Sequence, residues 1–342
     1  MREMNLDKKV YYALRTVFLV LAAAVLLISD VSAGENPFAY KNDAPLNAKV
    51  EPVSDPALKD APYTQFHVWY DSVNGMKVPG ILTIPKVTDK NKTAGPPWPV
   101  IFLMHYHASD KTLFNPIVPI YAGVGFATFA IDGIYRGERK VSGKDILDAD
   151  TEVTLSNMKQ QIMDIMRGFD FLATQKDIDM NRLGYLGISM GAFTGAVATA
   201  NDARVKAVVL ALAGGDLAKF FKESTYDDVK MITEGIQKKN LSETQLKALM
   251  EKMKLVDPLE HAAKFKGRHV RMLNGKKDTV VPKACVEALY NAIPGPKDIK
   301  WHRYNLGGKE GGHILLPNDI IALVKWYAES LSGEEQKKEG GK

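Results

Sequence analysis

Cysteine is almost missing from this chain. Cys285 stands alone among 342 residues, so no disulfide can form within the molecule and its stability has to come from a buried core. A marked excess of one charge is missing too. Lys and Arg number 45 against 40 Asp and Glu, a formal net charge of +5, and the basic residues are scattered rather than banded. That gives no footprint for nucleic acid. No repeat period and no long low-complexity tract interrupts the sequence. What is present is a 46% hydrophobic, 25% charged chain, a balance and length that suit one large α/β domain or two small ones.

The N-terminus is distinct. Lys8, Lys9 and Arg15 precede an apolar run from Val17 to Ile28, and Val31-Ser32-Ala33 follows. A basic head, a short apolar stretch and a small-residue end form a secretory signal pattern. Residues 1–33 are therefore expected to be a signal peptide cut after Ala33, leaving an exported protein, periplasmic or secreted, with no stable membrane association. The competing reading is an uncleaved anchor, against which Arg15 interrupts the run from Val10 to Ile28.

Five prolines, Pro37, Pro45, Pro52, Pro56 and Pro62, mark residues 34–62 as an extended surface segment with little regular structure. Alternation at Phe66, Val68 and Tyr70, the Asn74-Gly75 turn and the return through Val78–Ile84 predict an antiparallel hairpin. Apolar strands follow at 100–104, 127–131, 183–188, 205–212, 270–273 and 299–304. Between them lie helical patterns, the clearest being Leu155, Met158, Ile162, Ile165, Met166 and Phe169, and a last helix is expected over 317–331. Strands alternating with helices imply a mostly parallel sheet with helices on both faces. The domain is expected to span 63–332. Residues 215–264 break the rhythm with a charged helical stretch, striped by Leu246, Leu249, Met250 and Met253, that reads as a small lid insertion, the alternative being an enlarged crossover helix. A charged tail occupies 333–342.

The strongest local signal is Gly187-Ile188-Ser189-Met190-Gly191, between a short apolar strand and a helix of small residues. A nucleophile on so tight a turn sits in a strained conformation, and glycines two positions either side remove Cβ atoms that would collide. The helix N-terminus then favours a developing oxyanion. Serine needs a base, and in chain order an acid and a histidine should follow it. Asp278 lies in the loop leaving the strand at 270–273, on the sheet edge where ligands bind in open parallel sheets. Of seven histidines only His302 and His313 come after it. His302 falls within the last strand and should point outward, whereas His313 ends the glycine-rich run Gly307–Gly312. Ser189, Asp278 and His313 are the expected catalytic set.

On these residues the chain resembles the α/β-hydrolase superfamily from about Thr64 to Leu331, especially its dienelactone-hydrolase-like and acetyl-xylan-esterase-like branches. The matching stretches are the serine elbow, Asp278-Thr279-Val280-Val281-Pro282, Gly312-His313, and the loop Asp132-Gly133-Ile134-Tyr135-Arg136-Gly137-Glu138-Arg139. The resemblance implies a serine esterase acting on a small-molecule ester, without a cofactor. It implies an oxyanion hole made by the backbone of Met190 with that of Tyr106 or His107. Tyr106 stands where this superfamily usually carries glycine. Tyr106, His105 and Tyr135 are expected to line the substrate pocket, and Asp132 and Glu138 to make structural hydrogen bonds or a salt bridge with Arg136 or Arg139. Oligomeric state has no signature in the sequence.

Other readings use the same residues differently. A peptidase of the prolyl-oligopeptidase type would share the triad, but the short N-terminal segment has no room for a propeller domain. His105-x-His107 followed by Asp110 suggests a metal-dependent hydrolase, although zinc needs at least three protein ligands and no further histidine completes the cluster. A non-catalytic binding protein on the same fold is the third reading.

Overall fold

Strands buried on both faces read as continuous apolar runs, and these form the middle of one nine-stranded sheet. The computed structural model describes Phe38, Tyr40 and residues 44–92, 95–305 and 311–332. It divides into two units, Met1–Lys41 and Asn42–Lys342, and the fold below is that of the second. The expected signal peptide and charged tail lie outside the described residues.

The strands are β1 (Lys49–Pro52), β2 (Tyr63–Asp71), β3 (Lys77–Pro85), β4 (Trp98–Met104), β5 (Ala127–Ile131), β6 (Ile178–Ile188), β7 (Val205–Ala211), β8 (His269–Gly275) and β9 (Lys297–His302). Their order is β1-β2-β3-β5-β4-β6-β7-β8-β9. The first four in that order pair antiparallel, and from β5 to β9 every pairing is parallel. Every residue of β4 and β5 is buried. The hairpin turns where expected, with Asn74 and Gly75 at φ 61° and 69°. Parallel strands need crossovers, which helices α1 (Val118–Gly123), α2 (Thr151–Ala173) and α3 (Met190–Ala200) supply. All six residues of the stripe predicted for α2 are buried, and Asp150 caps its first turn by accepting the Glu152 N–H.

Three expectations are corrected. The segment 34–62 contains β1, an edge strand whose four residues are all exposed and so give no alternation to read. The last strand lies two residues earlier, at Lys297–His302 rather than 299–304. The terminal helix, which follows α8 (Lys283–Ala292) and β9, is two pieces, α9 (Pro317–Ile321) and α10 (Leu323–Leu331).

The stretch 215–264 folds as α4 (Leu217–Glu223), α5 (Asp227–Lys238), α6 (Glu243–Lys254) and the single turn α7 (Pro258–His261). Leu249 and Met253 of the expected stripe are buried, while Leu246 remains 40% exposed. Leu217, Phe220, Phe221, Val229, Ile232 and Val256 add to the buried face. Buried Asp257 fastens the end of this stretch to its beginning. Its carboxylate accepts the N–H groups of Asp216, Leu217 and Leu259 at 3.0, 2.7 and 2.9 Å. No helix among the described residues is long and apolar enough to cross a membrane.

Cys285 opens the packed face of α8 (Lys283–Ala292) and is fully buried. Burial, helped by nearby carboxylates, pushes its thiol up to about 12. Since the thiolate is the reactive species, a water-soluble disulfide reagent at neutral pH should leave the native protein unmodified and titrate one thiol after unfolding. Rapid titration of the native protein would show that this face of α8 opens.

Candidate active site

The C-terminal ends of β4, β6, β8 and β9 gather the chemistry. Ser189 follows β6 directly and precedes α3 with φ 50° and ψ −116°, a conformation L-residues rarely adopt. Two features hold it there. Its N–H donates to the Ala211 carbonyl at 2.8 Å, and the Ala192 N–H donates to its own carbonyl at 2.7 Å. The flanking glycines are obligatory. A Cβ on Gly187 would lie 2.4 Å from the Gly191 carbonyl oxygen, and one on Gly191 would lie 2.5 and 2.6 Å from the carbonyls of Met104 and His105. The elbow is therefore pressed against the backbone that leaves β4. Tyr185 braces it from below, donating its hydroxyl to the Gly191 carbonyl at 2.7 Å.

Ser189 Oγ lies 2.9 Å from His313 Nε2, and His313 Nδ1 lies 2.8 Å from Asp278 Oδ2. The other carboxylate oxygen of Asp278 accepts the N–H groups of Val280 and Val281, both at 2.9 Å. Its side chain is 2% exposed and that of His313 is 13% exposed. The two loops are joined at the backbone, where Gly312 donates to the Lys277 carbonyl at 2.7 Å. An acceptor-only carboxylate at Nδ1 requires a proton there, which leaves Nε2 as the acceptor for the serine hydroxyl. Three side chains distant in sequence thus form one hydrogen-bonded line.

His302 does not point outward as its strand position suggested. Its ring stacks on Tyr304 at 4.7 Å, and both ring nitrogens are buried with no hydrogen-bond partner among the described residues. Burial holds its pKa below the ordinary histidine value.

The loop after β4 separates its residues sharply. His105 is 3% exposed, and its ring takes the Gly133 N–H at Nε2 (2.9 Å) while Nδ1 faces the Tyr106 carbonyl at 2.7 Å. Desolvation depresses its pKa, which keeps the ring neutral. Tyr106 is 39% exposed. His107 turns away from His105 to Asp145, 2.6 Å from Nε2, and Asp110 spends one carboxylate oxygen on the N–H and hydroxyl of Thr112. Among the described residues no group of three His, Cys, Asp or Glu side chains is arranged to hold a metal. Tyr135 sits at φ 59° with the Lys144 ammonium 5.9 Å from its ring centre.

Asp132 and Glu138 make structural contacts as expected, but their cation is Lys111 rather than Arg136 or Arg139. The Lys111 ammonium lies 2.6 Å from Asp132 and 2.7 Å from Glu138, and Asp132 is fully buried. Burial pushes the lysine pKa down, yet the two carboxylates outweigh it and the ammonium titrates above its usual range. Asp132 also accepts the N–H groups of Lys111 and Glu138. A Cβ on Gly137 would sit 2.2 Å from the Asp132 carboxyl carbon, so the loop closes only with glycine there. Arg139 pairs instead with Asp164 at 2.8 Å, and Arg136 with Asp145. No local spacing reveals Lys111, whose partner lies 21 residues away. Replacing Lys111 with methionine leaves Asp132 buried without its cation and should cost about 3 kcal/mol of stability, read from urea unfolding. A loss below about 1 kcal/mol would mean that the two backbone donors suffice.

A mostly parallel sheet with a strained serine at a strand-to-helix elbow, and a histidine and carboxylate at neighbouring strand ends, defines an α/β-hydrolase. The family model of the acetyl xylan esterases matches residues 42–325, and the chain belongs to that family of carboxylic ester hydrolases. Solved structures agree on the fold. An acetyl xylan esterase from Paenibacillus sp. R4 superposes with a TM-score of 0.69 at 21% identity, covering 85% of this chain and 90% of that one. Acetyl xylan esterase 1 from Thermoanaerobacterium sp. JW/SL YS485 gives 0.68 at 19% identity, covering 83% and 88%. A puromycin-hydrolyzing peptidase from Mycobacterium tuberculosis gives 0.60 at 17% identity, but the match covers 80% of this chain and only 40% of that one. Comparison with the curated proteins finds no match.

Proposed function

We propose that the protein is an exported serine esterase that cleaves short-chain carboxylic esters, acetyl esters foremost, through an acyl-enzyme on Ser189. The observation that carries this reading is the line Ser189–His313–Asp278, with contacts of 2.9 and 2.8 Å and the serine at the head of α3. In this reading His313 takes the serine proton as Oγ attacks the ester carbonyl, then returns it to the departing alcohol. Asp278 holds the imidazole tautomer and stabilises the imidazolium. Water repeats the sequence to release the acid. The oxyanion is received by the amide of Met190, whose place at the first turn of α3 leaves it without a partner within the helix, and by that of Tyr106 or His107.

Tyr106 and Tyr135 remain candidates for contact with the substrate. His105 is left out of that set, since both ring nitrogens face the backbone. Membership of the acetyl xylan esterase family supports acetyl as the acyl group. The pattern at residues 1–33 supports export.

A series of p-nitrophenyl esters from acetyl to lauroyl tests the reading. The highest kcat/KM is expected for acetyl, with a steady fall as the chain lengthens, and a chelator should leave the activity in place. A fluorophosphonate should add to the peptide carrying Ser189. An active enzyme left unlabelled there would refute the mechanism.

A further inference from the structure

Thr225-Tyr226, within the short link from α4 to α5, touches both sides of the site. On one side the Thr225 N–H and hydroxyl both donate to the carbonyl of Thr279, at 3.1 and 2.7 Å. Thr279 follows Asp278 directly, so this contact bears on the acid loop. On the other side the Tyr226 hydroxyl lies 3.3 Å from His107 Nδ1, and the two rings meet edge to face at 5.9 Å.

His107 is the third residue beyond β4, in the loop whose first carbonyls press on Gly191 of the elbow. Its side chain is 10% exposed. With Nε2–H donated to Asp145 at 2.6 Å, Nδ1 carries the lone pair and accepts the Tyr226 hydroxyl proton. Arg136 completes the clamp. Its guanidinium donates to the His107 carbonyl and to the second oxygen of Asp145, and one of its nitrogens lies 2.9 Å from His107 Nε2. Asp228, two residues past Tyr226, comes within 3.8 Å of Nδ1. Burial opposes ionisation of Asp145, but its hydrogen bond to His107 and the neighbouring Arg136 guanidinium bring it down to about 2, so it stays a carboxylate across the neutral range.

We propose that Thr225-Tyr226 is a fixed crosspiece over the active site, and that Tyr226 is a positioning residue which, through His107, holds the backbone of Tyr106 and His107 against the elbow as the second wall of the oxyanion hole. The proposal rests on the serine-esterase reading above. It gives the inserted helices a role other than that of a swinging lid: the segment that reaches the acid loop also sets the opposite wall.

Tyr226→Phe keeps the ring packing and removes only the hydroxyl. The number of competent sites is first titrated to its end point with a fluorophosphonate, and kcat and KM for p-nitrophenyl acetate are then expressed per competent site. The crosspiece predicts a fall in kcat of roughly tenfold with KM within about twofold, the scale of one lost hydrogen bond felt in the transition state. His107→Gln should fall at least as far, and the double variant no further than His107→Gln alone, because both act through one contact. A general loosening of the fold would lower the number of titratable sites and leave kcat per site unchanged. That result, or additive losses in the double variant, would overturn the proposal. A wild type that hydrolyses the ester but never labels at Ser189 would overturn the serine reading and this proposal together, whereas a labelled wild type with an unaltered Tyr226→Phe removes the crosspiece alone.

Discussion

Ser189→Ala should lower kcat for an acetyl ester by about 10⁶-fold while leaving the protein folded, the scale at which loss of a serine nucleophile acts in a preorganised site. The size follows from what the hydroxyl does. In the proposed mechanism it forms the covalent bond to the acyl group. His313 Nε2, 2.9 Å away, is the base in that mechanism and would have no hydroxyl to deprotonate in the variant. Alanine accepts the elbow conformation no worse than serine, since φ 50° is equally strained for both and is imposed by the contacts of Ala211, Ala192 and Gly191. The Tm should therefore change little. Activity left in the variant would come from the oxyanion donors acting with water. Paired measurements of kcat and thermal unfolding check this. A residual rate above about a thousandth of wild type, with contaminating wild-type enzyme excluded by labelling, would mean that another group makes the bond.

The parts of this site that were legible in the sequence are those whose constraint is local. Gly187 and Gly191 flank Ser189 because a Cβ at either would enter neighbouring backbone, and that constraint writes itself into five consecutive residues. β4, β5 and the second half of β6 are buried on both faces, as is nearly all of β7, and burial on both faces leaves apolar runs that end where the sheet ends. Chain order then ranked Asp278 and His313, which the fold brings into contact across 35 residues. Interactions whose partners lie far apart were not legible. Lys111 looks like an ordinary charged loop residue until β5 delivers Asp132 beneath it. Tyr226 is one aromatic in a charged stretch, and its partner His107 is 119 residues away. β1 was hidden for another reason. An edge strand with four exposed residues has no buried face, so no period marks it. His302 misled because it closes its strand, and what happens to a side chain there depends on Gly275 and Tyr304 packed around it rather than on alternation.

Asp278→Asn separates geometry from charge more finely than any deletion at this site. The carboxylate has two duties. Oδ1 takes the N–H groups of Val280 and Val281, and Oδ2 faces His313 Nδ1. In asparagine the carbonyl oxygen keeps the first pair of bonds, because only an acceptor satisfies two backbone donors. The amide nitrogen is then forced toward His313, where it donates to Nδ1. The imidazole must answer by moving its proton to Nε2, the atom that accepts the serine proton in the proposed mechanism. Shape is retained and the base is disabled. The expected loss in kcat is about 10⁴-fold near neutral pH, the cost of a wrong tautomer, with KM and the unfolding midpoint close to wild type. Asp278→Ala imposes no tautomer on His313 but also removes the anchor for the Val280 and Val281 N–H groups, so it should unfold more readily than the asparagine variant. If Asp278→Asn instead kept more than a tenth of the wild-type rate, the orientation of His313 would have to come from its own loop. The link between Gly312 and Lys277 is the contact that would then hold the ring in place.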